Sequence, residues 1–248
     1  MGTEGENGHG RPLQDRVILV TGASRGIGKA IAKRLAIGGA RLALVGRGLR
    51  GLEEASRELG PTGGEALLLP YDLTEASSYP RILKAILERW GRLDALVNNA
   101  GIAETAPFES ETPDAWDRLL AVNARAPFFL TQAVLPELRK TKGRIVNIAS
   151  VVAHTGYAQQ AAYSASKHAL LGWTKALARE LVSDGVRVHI IAPGGVATEM
   201  VSRMRPDIRP EELIQPEEVA EAVAYLLSMN GRGVVDEIQL RRADKTPF

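Results

Sequence analysis

The sequence predicts a single α/β domain, a doubly wound parallel sheet of about seven strands with helices on both faces. Short apolar runs alternate along the chain with longer segments whose apolar residues have helical spacing. The short runs are apolar throughout, which is typical of parallel strands covered on both faces. No linker, repeat or low-complexity segment interrupts residues 15–248, so we interpret this range as one domain and residues 1–14 as a flexible N-terminal tail.

The predicted strands follow one another as RVILVT, RLALVG, EALLLPYD, LDALVNNAG, GRIVNIAS, VRVHIIAPG and GVVDEIQL. The first helical pattern, GKAIAKRLAIGG, ends at a glycine pair, which is a common helix stop. Further helices are predicted in LEEASREL, in SYPRILKAILERWG, over residues 113–138, within residues 149–176 and over residues 216–229. Right-handed crossovers bring the carboxyl ends of parallel strands to one edge, so the residues that follow each strand are the candidates for chemistry.

The composition excludes several kinds of site. No cysteine is present, which excludes disulfides, thiolate zinc sites and cysteine nucleophiles, and the four histidines lack metal-ligand spacing, so no metal is predicted. A net charge of +2 and basic clusters without interleaved aromatic residues do not indicate a nucleic-acid partner. The sequence lacks a signal-peptide pattern and an apolar run of membrane-spanning length, and it therefore predicts a cytoplasmic protein with no membrane partner.

A glycine-rich segment, TGASRGIG, follows the first predicted strand and places glycines at Gly22, Gly26 and Gly28. Glycine permits a tight turn and lets a pyrophosphate approach the backbone, while a helix that begins near Arg25 offers free N–H groups to that phosphate. An ordinary glycine turn is the alternative. The strand before the segment and the helix after it favour a dinucleotide phosphate site.

The second predicted strand ends at VGRG, where sheets that bind NAD usually place an acidic residue for the ribose hydroxyls. Arg47 stands there instead, and Arg25 can approach from the glycine-rich segment. A guanidinium binds a 2'-phosphate through two hydrogen bonds, whereas a carboxylate repels it. The pair therefore predicts NADP(H) rather than NAD(H), against the alternative that Arg47 simply faces solvent.

Tyr163 and Lys167 are four residues apart on a predicted helix and therefore share a face. A free tyrosine has a pKa of about 10, so lowering it to neutrality requires about 3 units, or roughly 4 kcal/mol. An ammonium about 5 Å away supplies roughly 3 kcal/mol at an effective dielectric of about 20. Tyr163 can then exchange a proton with a substrate oxygen while a cofactor carries a hydride. The alternative is that Tyr163 only packs.

Two further polar residues are candidates for the same site. Ser150 follows the fifth predicted strand, and Asn123 stands among apolar residues in the long predicted helix. Ser150 can be explained by turn chemistry alone, and Asn123 by a local hydrogen bond. Their occurrence together with Tyr163 and Lys167 on a sheet with a nucleotide loop favours one catalytic site.

These segments, together with DLT, NNAG, YSASK and PGGVAT, resemble the classical short-chain dehydrogenase/reductase family over about residues 15–240. The resemblance implies a Rossmann-like fold in which Tyr163 is the acid/base and Lys167 binds the nicotinamide ribose and lowers the tyrosine pKa. It also implies that Ser150 holds the substrate oxygen and that Asn123 supports a water-mediated proton path near Lys167.

The resemblance further implies a set of NADP(H)-binding residues. Asp72 and Leu73 are expected to flank the adenine, Asn99 to line the cofactor site and residues 193–198 to cover the nicotinamide. The full set is Gly22, Ser24, Arg25, Gly26, Ile27, Gly28, Arg47, Asp72, Leu73, Asn99, Ala100, Gly101, Tyr163, Lys167, Pro193, Gly194, Val196 and Thr198.

A substrate site is expected from Ser150, His154, Tyr157 and Met200. His154 and Tyr157 lie between Ser150 and Tyr163, although His154 can equally be an exposed loop residue. Residues 198–213 correspond to the family's mobile substrate lid, in which Met200 and Met204 provide an adaptable apolar wall or cover the core.

The predicted function is that of an NADP(H)-dependent oxidoreductase that interconverts a carbonyl and a secondary alcohol on a small molecule. A 3-oxoacyl-(acyl-carrier-protein) reductase is the alternative, and a non-catalytic cofactor-binding regulator ranks last because Ser150, Tyr163 and Lys167 are intact. The ending GVVDEIQLRRADKTPF lacks the glycine-rich tail of many relatives and resembles reductases of small hydroxy acids and carbonyls, which weakens that alternative. The resemblance also implies a homotetramer or homodimer packed through the helices that carry Asn123 and Tyr163.

Overall fold

The computed structural model describes residues 13–60 and 66–245. They form a sheet of seven parallel strands in the order β3-β2-β1-β4-β5-β6-β7, which confirms the predicted fold class. The strands are β1 Val17–Thr21, β2 Arg41–Gly46, β3 Leu67–Pro70, β4 Ala95–Asn98, β5 Arg144–Ile148, β6 Arg187–Pro193 and β7 Glu237–Leu240.

Eight α-helices connect or follow these strands within the described residues, and none of them is both long and apolar enough to cross a membrane. They are α1 Gly26–Ile37, α2 Leu49–Arg57, α3 Ser78–Trp90, α4 Pro113–Leu120, α5 Ala126–Thr141, α6 Ala161–Glu180, α7 Glu199–Met204 and α8 Pro216–Ser228.

The two faces of the sheet are covered by different helices. On β1, Ile18 and Val20 belong to a core with α1 and α8, whereas Val17 and Leu19 belong to a core with α3 and α5. Side chains of a strand alternate between its faces, so a strand with helices on both sides must be apolar throughout, as the sequence predicts.

Residues 1–12 of the predicted N-terminal tail lie outside the described residues. Leu13, which the sequence assigns to that tail, is fully buried. It contributes to the core beside α1, and its backbone N–H donates to Gly38 O. Among the described residues, the packed part of the chain therefore already includes Leu13.

The long helix expected over residues 113–138 is interrupted and extends further than expected. A π-helical turn, Ala121–Arg125, separates α4 from α5, which ends at Thr141. Its hydrogen bonds span five residues instead of four, which shifts side chains out of the regular helical pattern, and such turns are frequent at functional sites. The turn carries Asn123.

At the amino edge of the sheet, three arginine side chains contact the end of α8 and the chain just beyond it. Arg144 donates to Met229 O, and Arg187 donates to Met229 O at 3.3 Å and to Gly231 O at 2.5 Å. Arg16 donates to Leu227 O at 2.9 Å. The carbonyls at a helix end have no intrahelical partner, so these cations satisfy them and complement the helix dipole.

Candidate active site

The glycine-rich segment after β1 turns tightly against the segment that follows β4. Gly22 has a φ of +64°, and a Cβ at this position would lie 2.8 Å from Ala100 Cα. A Cβ at Gly28 would lie 2.1 Å from Gly22 O. Both positions therefore require glycine, the first for its backbone conformation and its close approach, the second for the close packing of α1 on the loop.

The same contact is held by a threonine that the sequence analysis did not select. The Thr21 hydroxyl accepts hydrogen bonds from Asn99 N at 2.9 Å and from Ala100 N at 3.0 Å. Asn99 Nδ2 donates to Thr21 O and to Gly22 O, at 2.9 and 3.2 Å. A threonine at the end of an apolar strand gives no distinctive sequence signal, because its role depends on pairing with β4.

A groove of about 340 Å³ runs along this edge. Met200 lines it, as do many of the predicted cofactor residues: Gly22, Ser24, Arg25, Gly26, Ile27, Arg47, Asp72, Leu73, Asn99, Ala100, Gly101 and Thr198. The predicted cofactor residues Gly28, Tyr163, Lys167, Pro193, Gly194 and Val196 are not among its lining residues. Lining residues that the sequence analysis did not select include Val45, Tyr71, Thr74, Ile102, Val122 and Glu199.

The two predicted phosphate arginines have different surroundings. Arg25 forms an ion pair with Glu199, the first residue of α7, and Glu199 also pairs with Arg203. Arg25 thus connects the glycine loop to the predicted lid. Arg47 is exposed, and its charge contributes to lowering the pKa of Asp72.

Asp72 closes a short turn beside the groove. Its Oδ1 accepts hydrogen bonds from the backbone N and the hydroxyl of Thr74, both at 2.8 Å. These bonds, the backbone one foremost, hold the pKa of Asp72 below its ordinary value. Asp72 is therefore a fixed carboxylate at the position where the resemblance expects adenine contacts.

Asn123 is almost fully buried, and its amide is fully engaged. Its Oδ1 accepts from Ile102 N at 2.9 Å, while its Nδ2 donates to Ile102 O at 2.9 Å and to Ser166 Oγ at 3.0 Å. A Cβ at Gly101 would lie 3.3 Å from Asn123 Oδ1 and 3.6 Å from Lys167 Nζ, so both groups converge on Gly101. Ser166 is a further site residue, and it is recognisable only once α6 packs on the π-helical turn.

Ser150, Tyr163 and Lys167 come together at the start of α6. Lys167 is 5% exposed and donates from Nζ to Ile148 O at 3.0 Å. Burial lowers the pKa of Lys167 to about 8. A hydrogen bond between the Tyr163 and Ser150 side chains stabilises the ionised form of the tyrosine. The structure therefore brings together the three residues that the sequence selects.

The direction of the Tyr163 pKa differs from the sequence argument, which expects a lowered value. Burial raises the pKa of Tyr163, and the hydrogen bond with Ser150 only partly offsets that effect. Burial penalises the charged phenolate more than the neutral hydroxyl. Desolvation is a tertiary effect that spacing along a helix does not reveal.

The expected substrate residues separate into two groups. His154 Nε2 lies 2.6 Å from Glu237 Oε1, the first residue of β7, which pairs with Ile190 three residues before the end of β6. This contact joins the segment after β5 to the edge strand β7. Tyr157 is half-exposed, and Met200 lines the groove.

Comparisons with known proteins agree with this arrangement. A family model described as short chain dehydrogenase matches residues 16–209. The 3-oxoacyl-(acyl-carrier-protein) reductase FabG of Vibrio cholerae is 39% identical over 235 residues, which cover 91% of this chain and 95% of that protein.

Solved structures are similar over nearly the whole chain. A metagenomic short-chain oxidoreductase in complex with NADP is 37% identical, with a TM-score of 0.82 and coverage of 94% of this chain and 99% of that one. An alcohol dehydrogenase from the archaeon Thermococcus sibiricus, complexed with 5-hydroxy-NADP, is 31% identical, with a TM-score of 0.85 and coverage of 95% and 100%.

The fold and the site define a doubly wound α/β enzyme with a glycine-loop groove, a half-buried tyrosine and a buried lysine at one sheet edge. The chain belongs to the short chain dehydrogenase family, and it is an oxidoreductase of that family. The resemblance and the enzyme class inferred from the sequence are both confirmed.

Proposed function

We propose that the protein is an NADP(H)-dependent reductase of small carbonyl compounds, with Tyr163 as the acid/base. The observation that carries the proposal is the hydrogen bond between the Tyr163 hydroxyl and Ser150, at the edge that also carries the glycine loop. The buried Lys167 lies four residues after Tyr163 on the same helix. In this family a tyrosine hydroxyl transfers the proton while a nicotinamide transfers the hydride. Here the tyrosine and the glycine loop for the cofactor lie at the same edge of the sheet.

The groove residues fit a dinucleotide that carries an extra phosphate. The loop from Gly22 to Gly28 leaves the backbone open beside the N-terminus of α1, which attracts a pyrophosphate. Arg25 and Arg47, both lining the groove, are the guanidiniums for a 2'-phosphate, and Asp72 stands at the adenine end. NADP complexes of two similar structures support this assignment.

Bound NADPH supplies the hydride, and the chain supplies the proton and the orientation. Ser150 holds the carbonyl oxygen beside the Tyr163 hydroxyl, which donates its proton to that oxygen as it becomes an alcohol. The raised pKa of Tyr163 favours its protonated form, which is the form that a proton donor needs. The Lys167 ammonium stabilises the phenolate that remains.

A carrier-protein thioester is the second candidate substrate, because the reductase of Vibrio cholerae is similar over 91% of the chain. An acidic carrier needs a basic surface beside the site. In the segment RKTKGR, Arg139 pairs with Asp184 and Lys140 with Glu137, at the end of α5 where the chain enters β5. This segment lies at the amino edge, opposite the site, which favours the small-molecule substrate.

An oligomer packed through α4, α5 and α6 is also proposed. Trp116, Phe128 and Phe129 are exposed, and Phe128 contacts Trp173 edge-on at a centroid distance of 5.7 Å. Contiguous exposed aromatic side chains mark interaction surfaces. We expect a homodimer or homotetramer by light scattering, and a Phe128→Lys variant with a smaller particle mass.

The experiment that tests the proposed function is NADPH oxidation over a panel of ketones, aldehydes, 3-oxo acids and 3-oxoacyl thioesters, repeated with NADH. Turnover of free carbonyls with NADPH, and weaker turnover of carrier-bound thioesters, is expected. Preferential turnover of the carrier-bound substrate would establish the second candidate instead. Tight NADPH binding with no turnover on any compound would contradict the proposal and favour a cofactor-binding regulator.

A further inference from the structure

A chain of buried polar side chains crosses the sheet beneath the catalytic edge. Asn98 of β4 donates from Nδ2 to Thr131 Oγ1 of α5 at 3.0 Å and to Asn147 Oδ1 of β5 at 2.8 Å. Asn147 Nδ2 donates to Thr174 Oγ1 of α6 at 2.8 Å. All four side chains are at most 4% exposed, so no solvent competes for these bonds.

The four elements joined in this way are those that present the proposed site. Asn98 directly precedes Asn99, and α5 follows the π-helical turn of Asn123 without a break. Asn147 lies three residues before Ser150. On α6, Thr174 lies seven residues after Lys167, close to two helical turns, and therefore on the same side of the helix.

Apolar contacts alone do not fix how far α6 lies along β5. The core beneath α6 contains Leu170 and Leu171 packed near Ala153 and Ile190, and such contacts tolerate small displacements. A buried amide is different, because losing its partner costs about 1–3 kcal/mol. The bond from Asn147 to Thr174 therefore selects one position of the helix along the strand.

We propose that Asn147 and Thr174 are positioning residues that hold α6 in register with β5, so that Lys167 reaches Ile148 O and the Tyr163 hydroxyl reaches Ser150. The kinetic part of this inference rests on the proposed function, whereas its geometric part does not. The competing explanation is that the network only stabilises the fold.

Thr141 provides a matched control for a purely structural role. It is also a helix threonine, and its hydroxyl donates to Leu93 O at 2.8 Å. This bond does not involve α6, the helix that carries Tyr163 and Lys167. Thr141→Val and Thr174→Val each remove one hydroxyl at nearly constant volume. Thr174→Ser retains the hydroxyl in the network.

The test combines two measurements on wild type and these three variants. NMR of ¹³Cε-labelled lysine, with the Lys167 signal assigned from Lys167→Met, gives the Lys167 pKa in cofactor-free protein. Steady-state kinetics gives kcat and KM for NADPH-dependent carbonyl reduction. Melting temperatures ensure that both are measured on folded protein.

In Thr174→Val, we expect the Lys167 pKa to rise by about one unit towards its ordinary value, because the lysine is less closely held in its buried position. We also expect kcat to fall about tenfold with KM for NADPH changed less than about twofold. Thr174→Ser restores both, and Thr141→Val lowers only the melting temperature.

A Thr174→Val protein with wild-type Lys167 pKa and kcat, however destabilised, would overturn the inference. If the wild-type protein reduces no carbonyl, the Lys167 pKa of the variants still tests whether Thr174 positions α6. The absence of turnover would then contradict the proposed function and not the positioning role.

Discussion

The two edges of the sheet each bury a cation, in contrasting surroundings. Lys167 at the carboxyl edge is 5% exposed, and Arg144 at the amino edge is 9% exposed. Burial lowers the pKa of both, to about 8 for Lys167 and to about 10 for Arg144, where Arg16 and Arg187 add their repulsion. Arg144 is held by Met229 O and Asn230 Oδ1, whereas Lys167, within the described part of the chain, donates to Ile148 O alone.

We infer from this difference that the amino edge serves stability and that the carboxyl edge serves the proposed chemistry. A guanidinium remains protonated and presents several donors, so Arg144 suits the fixed carbonyls beyond α8. An ammonium with one hydrogen bond and a pKa of about 8 can change its partner and its charge near neutral pH. Lys167 also lies four residues after Tyr163 on α6, and its acceptor Ile148 O lies two residues before Ser150.

The largest expected effect is the loss of turnover in Lys167→Met. Removing the ammonium leaves the Tyr163 phenolate without its neighbouring charge, and we expect kcat to fall about 10³-fold. Circular dichroism and melting temperature monitor the fold, which we expect to be no less stable because an isolated buried charge is removed. Retained turnover would show that Lys167, like Arg144, has only a structural role.

The second largest expected effect is a rise in stability with pH that comes from the buried lysine of the carboxyl edge. Lys167 has a pKa of about 8 in the fold against 10.5 ordinarily, so above pH 8 the unfolded chain binds a proton that the native chain has lost. Stability therefore rises with pH, by about 2 kcal/mol between about pH 7.5 and 9.5. Urea unfolding of the cofactor-free protein measures this rise. A Lys167→Met protein with the same rise would assign it to other groups.

Arg144→Met, at the amino edge, should lower stability and leave turnover unchanged. Its hydrogen bond to the end of α8 is charge-assisted, but its removal also relieves repulsion from Arg16 and Arg187. We expect a net loss of about 1.5 kcal/mol in the free energy of unfolding, with kcat unchanged. Urea unfolding and kinetics on the same preparation check this. A large fall in kcat at full stability would remove the distinction between the edges.

The smallest expected effect concerns an exposed cation of the carboxyl edge. Arg47→Asp replaces a phosphate donor by a carboxylate, and we expect KM for NADPH to rise at least about tenfold, or about 1.4 kcal/mol, with KM for NADH nearly unchanged. Steady-state kinetics with both cofactors measures the ratio. An unchanged cofactor preference would leave Arg25 as the remaining candidate for the 2'-phosphate.

Local patterns were sufficient to predict the order of the seven strands, most of the helices and the sheet edge at which the selected residues lie. Apolar runs predict strands because both faces are buried, and Gly22 and Gly28 are predictable because only glycine fits a turn this close to other backbone. The sequence also selects Ser150, Tyr163 and Lys167, which the fold brings together.

Other features depend on contacts between distant segments, and spacing could not reveal them. Asn123, in the π-helical turn, forms hydrogen bonds with the backbone N–H and carbonyl of Ile102, which is 21 residues away in sequence. The pairing of His154 with Glu237 depends on β7 joining the sheet next to β6. The pKa of Tyr163 is raised because packing excludes water from its hydroxyl. A four-residue spacing to a lysine gives no information about that burial.

The measurement that tests the central claim most directly is single-turnover NADPH oxidation by Tyr163→Phe with the preferred carbonyl. The account expects a dissociation constant for NADPH close to that of wild type and a rate reduced by about 10³-fold or more, because only the proton donor is missing. Full activity in the Phe variant would contradict the assignment of Tyr163 as the acid/base.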